Sequence, residues 1–389
     1  MKKYNQSTIE MNLPIQMVDL KSQYNKIKDE INTALLAAVE AGAYINGPDV
    51  KAFAAKLEQF NKVKRAVTCA NGTDALQIAM MGLDFKPGDE VIVPAFTYIA
   101  TVEVIALLGL VPKFIDVRPD TFELDHTQLE ELITEKTVGV VPVHLFGQCS
   151  NMEAIVKIAR KHNIAVIEDT AQAMGAEFIH ADGKRSFAGT IGDVGTTSFF
   201  PSKNLGCFGD GGALLTQNGE LGEKLHIIAN HGQRQKYHHE TIGVNSRLDT
   251  VQAAILNVKI DYLHDYSRAR QAVAAKYDEA LAGIDGLELP IRAPYSTHVY
   301  NQYTCKVPNG RRDELKQYLQ EQGIPTMVYY PIPVHLQEAY RVYGYNKGDF
   351  PVSEQLCEEV ISLPIHTEME NDVQEYIISH IQKFYNDAK

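Results

Sequence analysis

The most regular pattern in the chain begins near residue 65, where short apolar runs rich in β-branched residues alternate with stretches of helical period. Ala66-Val67-Thr68, Val91-Ile92-Val93, Phe114-Ile115-Asp116, the run 138–143 and Ala165-Val166-Ile167 read as strands, and helical spacing fills 73–81, 98–108, 127–134 and 151–162. Strands that are apolar along their whole length are covered on both faces. The alternation therefore predicts an α/β fold, a mostly parallel central sheet with helices on both faces. Two more strands, at 196–199 and 212–216, enclose a glycine-rich loop and interrupt the alternation. Upstream, helical patterns occupy 25–40 and 49–60, with Gly47-Pro48 between them and Pro48-Asp49 opening the second.

The pattern changes toward both ends. Residues 1–24 are polar with little periodicity and read as an N-terminal arm, with Val18-Asp19-Leu20 as its docking point. A long helical region at 247–282 leads out of the α/β body. Beyond it come a strand-like stretch at 301–307, a helix at 311–322, a second strand-like stretch at 326–330 and a helix at 371–386. The expected organisation is an arm at 1–24, a large α/β domain at 25–260 and a smaller C-terminal α+β domain at 261–389, a division in keeping with 389 residues.

Composition narrows the partners. The formal charge is 37 − 49 = −12, whereas a nucleic-acid binder needs a basic face, so nucleic acid is excluded as the main partner. The five cysteines (Cys69, Cys149, Cys207, Cys305 and Cys357) are scattered and form no CxxC pair, so reduced thiols in a cytoplasmic protein are expected, with no metal site. No apolar run follows the two N-terminal lysines, and none approaches the roughly 20 residues of a membrane span, so neither a signal peptide nor membrane insertion is expected.

Four local features lie at or beside strand ends, where ligands bind in open α/β sheets. Asn71-Gly72-Thr73-Asp74 follows a strand and opens a helix, which makes either an ordinary cap or an anion site built on free N–H groups. Glu168-Asp169 ends an apolar strand, where a carboxylate either caps the next helix or keeps a bound ring nitrogen protonated. Lys203 sits between an apolar strand and a glycine-rich loop, with the Ser198 hydroxyl five residues before it. A lysine is usually a solvated charge, but one in a partly buried pocket loses its proton readily and can form a Schiff base. The aromatic residues of Pro94-Ala95-Phe96-Thr97-Tyr98 can lie over a flat ring or simply fill core.

Together these features lie on motifs with a family likeness: NGTDAL at 71–76, PAFTYIAT at 94–101, HLFGQ at 144–148, IEDTAQA at 167–173, SFFPSKNLGCFGDGGAL at 198–214 and GVNSRLDTVQAAIL at 243–256. From about Pro14 to the C-terminus the chain resembles the sugar aminotransferases of the DegT/DnrJ/EryC1/StrS type, which carry pyridoxal 5′-phosphate on the aspartate-aminotransferase (type I) fold. The resemblance implies that Lys203 holds the cofactor and carries the proton during transfer. It implies Asp169 at the pyridine nitrogen, Gln172 at the ring oxygen, Tyr98 stacked on the ring, and Gly72, Thr73 and Ser198 on the phosphate. Asn245 would reach the phosphate from a neighbouring subunit, which implies a homodimer with shared active sites. A related branch that removes a sugar hydroxyl has histidine in place of the lysine, so Lys203 points to transamination, with L-glutamate as the implied amino donor.

The loop 231–240, HGQRQKYHHE, is basic and aromatic within an acidic chain, and is either a solvated loop or a contact for a diphosphate or carboxylate. With the segment that follows, it looks most like family members that aminate C3 of UDP-2-acetamido-2-deoxy-3-oxo-D-glucuronate for surface glycans such as O-antigens. Arg234, Lys236 and Arg247 are then expected near the negative groups of the substrate, and Tyr329, Tyr330 and His335 along its sugar. Competing expectations are a C3 or C4 aminotransferase of a dTDP-, GDP- or UDP-linked 6-deoxy keto-sugar, a non-catalytic regulator on the same fold, and an amino-acid aminotransferase.

Overall fold

The computed structural model describes residues 14–387; residues 1–13 of the expected arm and the last two residues lie outside the described part. The chain opens with α1 (Leu20–Lys26), α2 (Lys28–Ala41) and α3 (Pro48–Asn61). The alternating region follows as β1 (Arg65–Cys69), α4 (Gly72–Gly82), β2 (Glu90–Pro94), α5 (Ala100–Leu107), β3 (Val111–Ile115), α6 (Leu129–Leu132), β4 (Thr137–Val140), α7 (Met152–Lys161) and β5 (Ala165–Asp169). A small hairpin, β6 (Glu177–Ile179) and β7 (Arg185–Phe187), precedes β8 (Val194–Ser198), β9 (Gly212–Thr216) and α8 (Gly219–Ala229). An exposed hairpin, β10 (Gln233–Gln235) and β11 (His238–His239), leads into α9 (Thr250–Lys259) and α10 (Leu263–Leu281). The remainder holds β12 (Tyr303–Lys306), α11 (Arg312–Glu321), α12 (Pro351–Glu359), β13 (Val360–Leu363) and α13 (Asn371–Asp387).

Seven strands form the central sheet in the order β1-β9-β8-β5-β4-β2-β3. Only β9 runs against its neighbours, pairing antiparallel with both β1 and β8, and the other pairs are parallel. The carboxyl ends of the six co-directional strands therefore share one edge of the sheet, and Cys69, Gly212 and Ser198 stand side by side across β1, β9 and β8. Apolar clusters cover both faces. Ile78, Val93, Ile105 and Leu214 belong to one, Ile92, Val140, Ile155 and Val166 to another, and Phe53, Phe199, Leu215 and Leu256 to a third.

A further core joins α10, β12, α11, β13 and α13 through Tyr277, Tyr303, Leu315, Ile361 and Ile377. The C-terminal region also reaches back. Val334, Tyr340 and Phe350 pack into the cluster around Val93, and Val334 N–H donates to the Ala95 carbonyl at 2.9 Å. The buried carboxylate of Asp116, just past β3, accepts from Val352 N, Ser353 N and Ser353 Oγ at 2.6–2.9 Å, capping the start of α12.

Several elements differ from the sequence pattern. α8 escapes it because Gly219 and Gly222 lower helix propensity, yet Asn218 caps the helix by accepting from Glu220 N and Leu221 N. Gly222 is needed for close packing, since a Cβ there would lie 2.6 Å from Arg65 Cβ. α12 runs straight into β13 with no glycine or proline at the junction, so no boundary shows. The expected strand at 326–330 reduces to one bridge, Met327 to Ser362; Pro331 and Pro333 end it, and its tyrosines turn to other contacts. The long helical region is split by a tight turn at Ile260–Tyr262.

One buried acid makes stability depend on pH. Glu123 is 3% exposed and accepts from Asn151 N at 2.6 Å and from the Tyr295 hydroxyl. Burial is the largest influence and pushes its carboxyl up to about 7. A raised carboxyl pKa means that the fold favours the neutral form. Its contribution is full below the usual carboxylate range and is lost as pH rises through 7. Relative to wild type, Glu123→Gln is therefore expected to gain on the order of 3 kcal/mol between pH 4.5 and pH 8, read from urea unfolding at the two pH values.

Candidate active site

The shared strand edge collects the polar residues. At the end of β1, Asn71 is extended and its side chain accepts from Asp74 N at 2.8 Å, which caps α4. The N–H groups of Gly72 and Thr73 in the first turn are left without helical partners. Gly72 lies against β8: a Cβ on it would fall 2.7 Å from Ser198 Cβ. The Ser198 oxygen accepts from Phe200 N at 3.2 Å, leaving its own proton to donate elsewhere. Two backbone donors and a hydroxyl thus meet in a cradle too tight for any residue but glycine, suited to a phosphate.

The end of β5 separates the two adjacent acids. Glu168 points inward with no exposed surface, and its carboxylate accepts from Gly189 N, Ile191 N and Gly192 N at 2.6–2.9 Å and pairs with His144 Nε2 at 2.9 Å. Ser150 N donates to His144 Nδ1, so the ring is neutral with its proton on Nε2, donated to Glu168. Asp169 faces the open edge. It accepts from Thr101 Oγ1 at 2.8 Å and Ala171 N at 3.1 Å, and among the described residues it carries no ion pair with an arginine or lysine. Gln172, one turn on, accepts from Phe146 N at 2.6 Å and donates to the Tyr330 hydroxyl at 3.0 Å. Tyr330 is also 6.0 Å from Tyr98 and 6.1 Å from Phe96, ring centre to ring centre, and burial raises its phenol pKa. Tyr98 itself is 56% exposed, a flat face open to a ligand.

Lys203 sits in the loop between β8 and β9. It is half-buried, and loss of solvent pushes its amine well below the usual lysine range, opposed in part by the negative charge of nearby Asp169. An amine whose pKa burial lowers, a buried carboxylate and an anion cradle are what a phosphorylated pyridine aldehyde requires. The cradle that a Cβ would fill and the uncompensated Asp169 show that these residues fit such a group. When bound, it supplies a sink for the electron pair released at the substrate carbon.

The remaining expected contacts are placed elsewhere within the single chain. Arg234, on the exposed hairpin, is already paired with Glu223 at 2.8 Å and Glu240 at 3.0 Å. Lys236 lies over the exposed ring of Tyr237. Arg247 lines a cavity of about 380 Å³ with Arg65, His226 and Glu58, off the edge of β1. Asn245 is exposed, next to Ser246, whose hydroxyl accepts from Ala70 N at 3.0 Å. His335 is not on an open wall. It has no exposed surface and packs on Phe114 and Phe350 with Nε2 on Glu354, because the apolar residues around it draw the segment into the core. Sequence reasoning missed Thr101, the partner of Asp169, although it ends the PAFTYIAT motif; it also missed the burial of Glu168 by His144. Among the described residues no cluster of metal ligands occurs, and no helix is long and apolar enough to cross a membrane.

Fold and site together define a pyridoxal-phosphate enzyme of the type I fold that transfers amino groups. Residues 25–382 match the DegT/DnrJ/EryC1/StrS aminotransferase family, and the chain belongs to it. Members are PLP-dependent transaminases of nucleotide-linked sugars. Over 352 residues the chain is 45% identical to the UDP-2-acetamido-2-deoxy-3-oxo-D-glucuronate aminotransferase of Pseudomonas aeruginosa, covering 90% of this chain and 95% of that protein. It is 43% identical over 377 residues to the "pleiotropic regulatory protein" of Geobacillus stearothermophilus, covering 96% and 99%. The crystal structure of DesV from S. venezuelae superposes with a TM-score of 0.92 at 39% identity, covering 96% and 98%.

Proposed function

We propose that this enzyme moves the amino group of L-glutamate to C3 of UDP-2-acetamido-2-deoxy-3-oxo-D-glucuronate, in the synthesis of surface-glycan precursors such as those of O-antigens, in the cytoplasm. The likeness to the P. aeruginosa enzyme over nearly the whole of both chains carries the choice of sugar. In this reading Lys203 anchors the cofactor and, once released, carries the proton to and from the substrate carbon. Asp169 holds the ring nitrogen protonated, Gln172 meets the ring oxygen, Tyr98 covers the ring, and Gly72, Thr73 and Ser198 bind the phosphate. Tyr329 and Tyr330 border the sugar.

A homodimer completes the site. Phe200 and Phe208, on either side of Lys203, are 52% and 44% exposed, and in this reading the exposed Asn245 and the half-buried Arg247 serve the site of a second copy. Arg234 and Lys236 remain candidates for the diphosphate or uronate, Arg234 after exchange of its present acidic partners. Incubation with glutamate and each keto-sugar, followed by 2-oxoglutarate release, tests the reading. Turnover of a 4-keto-6-deoxy sugar with none of the 3-oxo-uronate defeats it. The name of the G. stearothermophilus relative favours one other reading, a regulator that binds the cofactor without turnover. A visible spectrum unmoved by glutamate would be its signature.

The cradle yields a prediction of its own. Gly72→Ala places a methyl group against Ser198 Cβ, and overpacking of this kind costs about 1–3 kcal/mol. Cofactor affinity is expected to fall about tenfold or more, measured by absorbance titration of the apoprotein.

A further inference from the structure

The loop that carries Lys203 is wound tightly and pinned at several points. Cys207 N donates to the Phe199 carbonyl and Lys203 N to the Phe200 carbonyl, each at 2.8 Å. Gly206 sits so close to the start of the loop that a Cβ would lie 2.3 Å from the Pro201 oxygen. On one side Asn204 is clasped: its amide donates to the Val299 carbonyl at 2.9 Å, and Asn301 donates to its oxygen at 3.1 Å. Arg270, buried within α10, fixes that same turn by donating to the carbonyls of Tyr300 and Asn301.

On the other side is a second buried cation. Lys259, the last residue of α9, is 3% exposed, and its Nζ donates to the Gly206 carbonyl at 2.5 Å. The ammonium also lies 5.6 Å from the centre of the Phe208 ring. Among the described residues it has no carboxylate within ion-pair distance. Burying an ammonium costs more than one hydrogen bond from a charged group returns. A methionine would fill the same space without that cost, so the charge at this position is not explained by packing.

We propose that Lys259 is a positioning residue for Lys203: by holding the Gly206 carbonyl it keeps the loop from Phe199 to Cys207 wound, so that the Lys203 amine stays aligned with Asp169 when it leaves the cofactor. The loop backbone then remains fixed while the side chain swings between anchoring and proton transfer. Burial brings the Lys259 pKa down to about 8, with neighbouring Cys207 raising it and Arg270 lowering it, and the ammonium form prevails at neutral pH. The inference rests on the reading of Lys203 as the cofactor lysine.

The test uses PLP-loaded Lys259→Met and Lys259→Gln, with Lys203→Ala as control. Two quantities are read: the apparent pKa of the visible band of lysine-bound cofactor, and the rate at which glutamate discharges that band. Lys259→Met is expected to keep its thermal midpoint or raise it, while the band pKa moves by about one unit and the discharge slows about tenfold or more. Lys259→Gln, which keeps an N–H donor, is expected to recover part of both. A band pKa within about 0.3 unit of wild type, together with a discharge rate within about twofold, in Lys259→Met overturns the inference. If the methionine variant does not fold, the glutamine variant is judged by the same two limits. A visible band of lysine-bound cofactor persisting in Lys203→Ala would instead sink the reading of Lys203 itself.

Discussion

The Lys203→Ala enzyme is expected to fold, to retain cofactor without a covalent link and to lose sugar amination by about 1,000-fold or more. Folding is expected because the Lys203 side chain makes no hydrogen bond among the described residues; only its backbone pins the loop. Truncation therefore leaves no buried partner unsatisfied. Retention is expected because the cradle of Gly72, Thr73 and Ser198 and the carboxylate of Asp169 are untouched. Chemistry fails because the amine that would hold the cofactor and carry the proton is gone, and Lys259, the buried amine that pins the same loop, is committed to the Gly206 carbonyl. The checks are borohydride reduction, which should label wild type and not the variant, and single-turnover amination. Near-normal amination by the variant would defeat the mechanism.

Asp169→Asn should rank second. Asparagine is nearly isosteric, can still accept from Ala171 N and can turn its amide toward Thr101, so the geometry survives and only the charge is lost. Removing one preorganised electrostatic partner typically costs about 100- to 1,000-fold, and a fall of that size is expected in the half-reaction with glutamate. A second signature separates this from a packing defect. Asp169 raises the Lys203 pKa against the effect of burial. Without its charge the band pKa should therefore move down, seen by spectrophotometric titration. An unchanged rate would place the ring nitrogen elsewhere.

Much of the sheet was readable because its strands are buried on both faces and so appear as unbroken apolar runs. Asp169 and Lys203 stood out for a related reason, each following such a run where the sheet opens to ligand. The division of labour between Glu168 and Asp169 was not readable. Adjacent residues of a strand point to opposite faces, but which face is open depends on His144 and on the loop at 189–192, distant in sequence. His335 misled because a polar residue beside tyrosines and prolines reads as exposed, whereas Phe114 and Phe350 enclose it. The tyrosines at 329 and 330 looked like strand residues by composition, yet Tyr330 contacts Gln172, Phe96 and Tyr98 across about 160–230 residues of chain. Local pattern carries no trace of such pairings.

The cap that Asp116 places on α12 bears on how the protein is made. The carboxylate stands at the end of a strand completed early in synthesis, while its donors at 352 and 353 are translated more than 230 residues later. Until then an acid destined for the interior keeps its water, and the face of the sheet around Val93 lacks Val334, Tyr340 and Phe350. That face of the sheet is completed only once the chain has been made past residue 350. Contacts of such long sequence separation form slowly and leave apolar surface exposed in the interval. Chains cut short before residue 350 should accordingly accumulate as aggregates or chaperone clients, even though every residue assigned to the cofactor has already been synthesised.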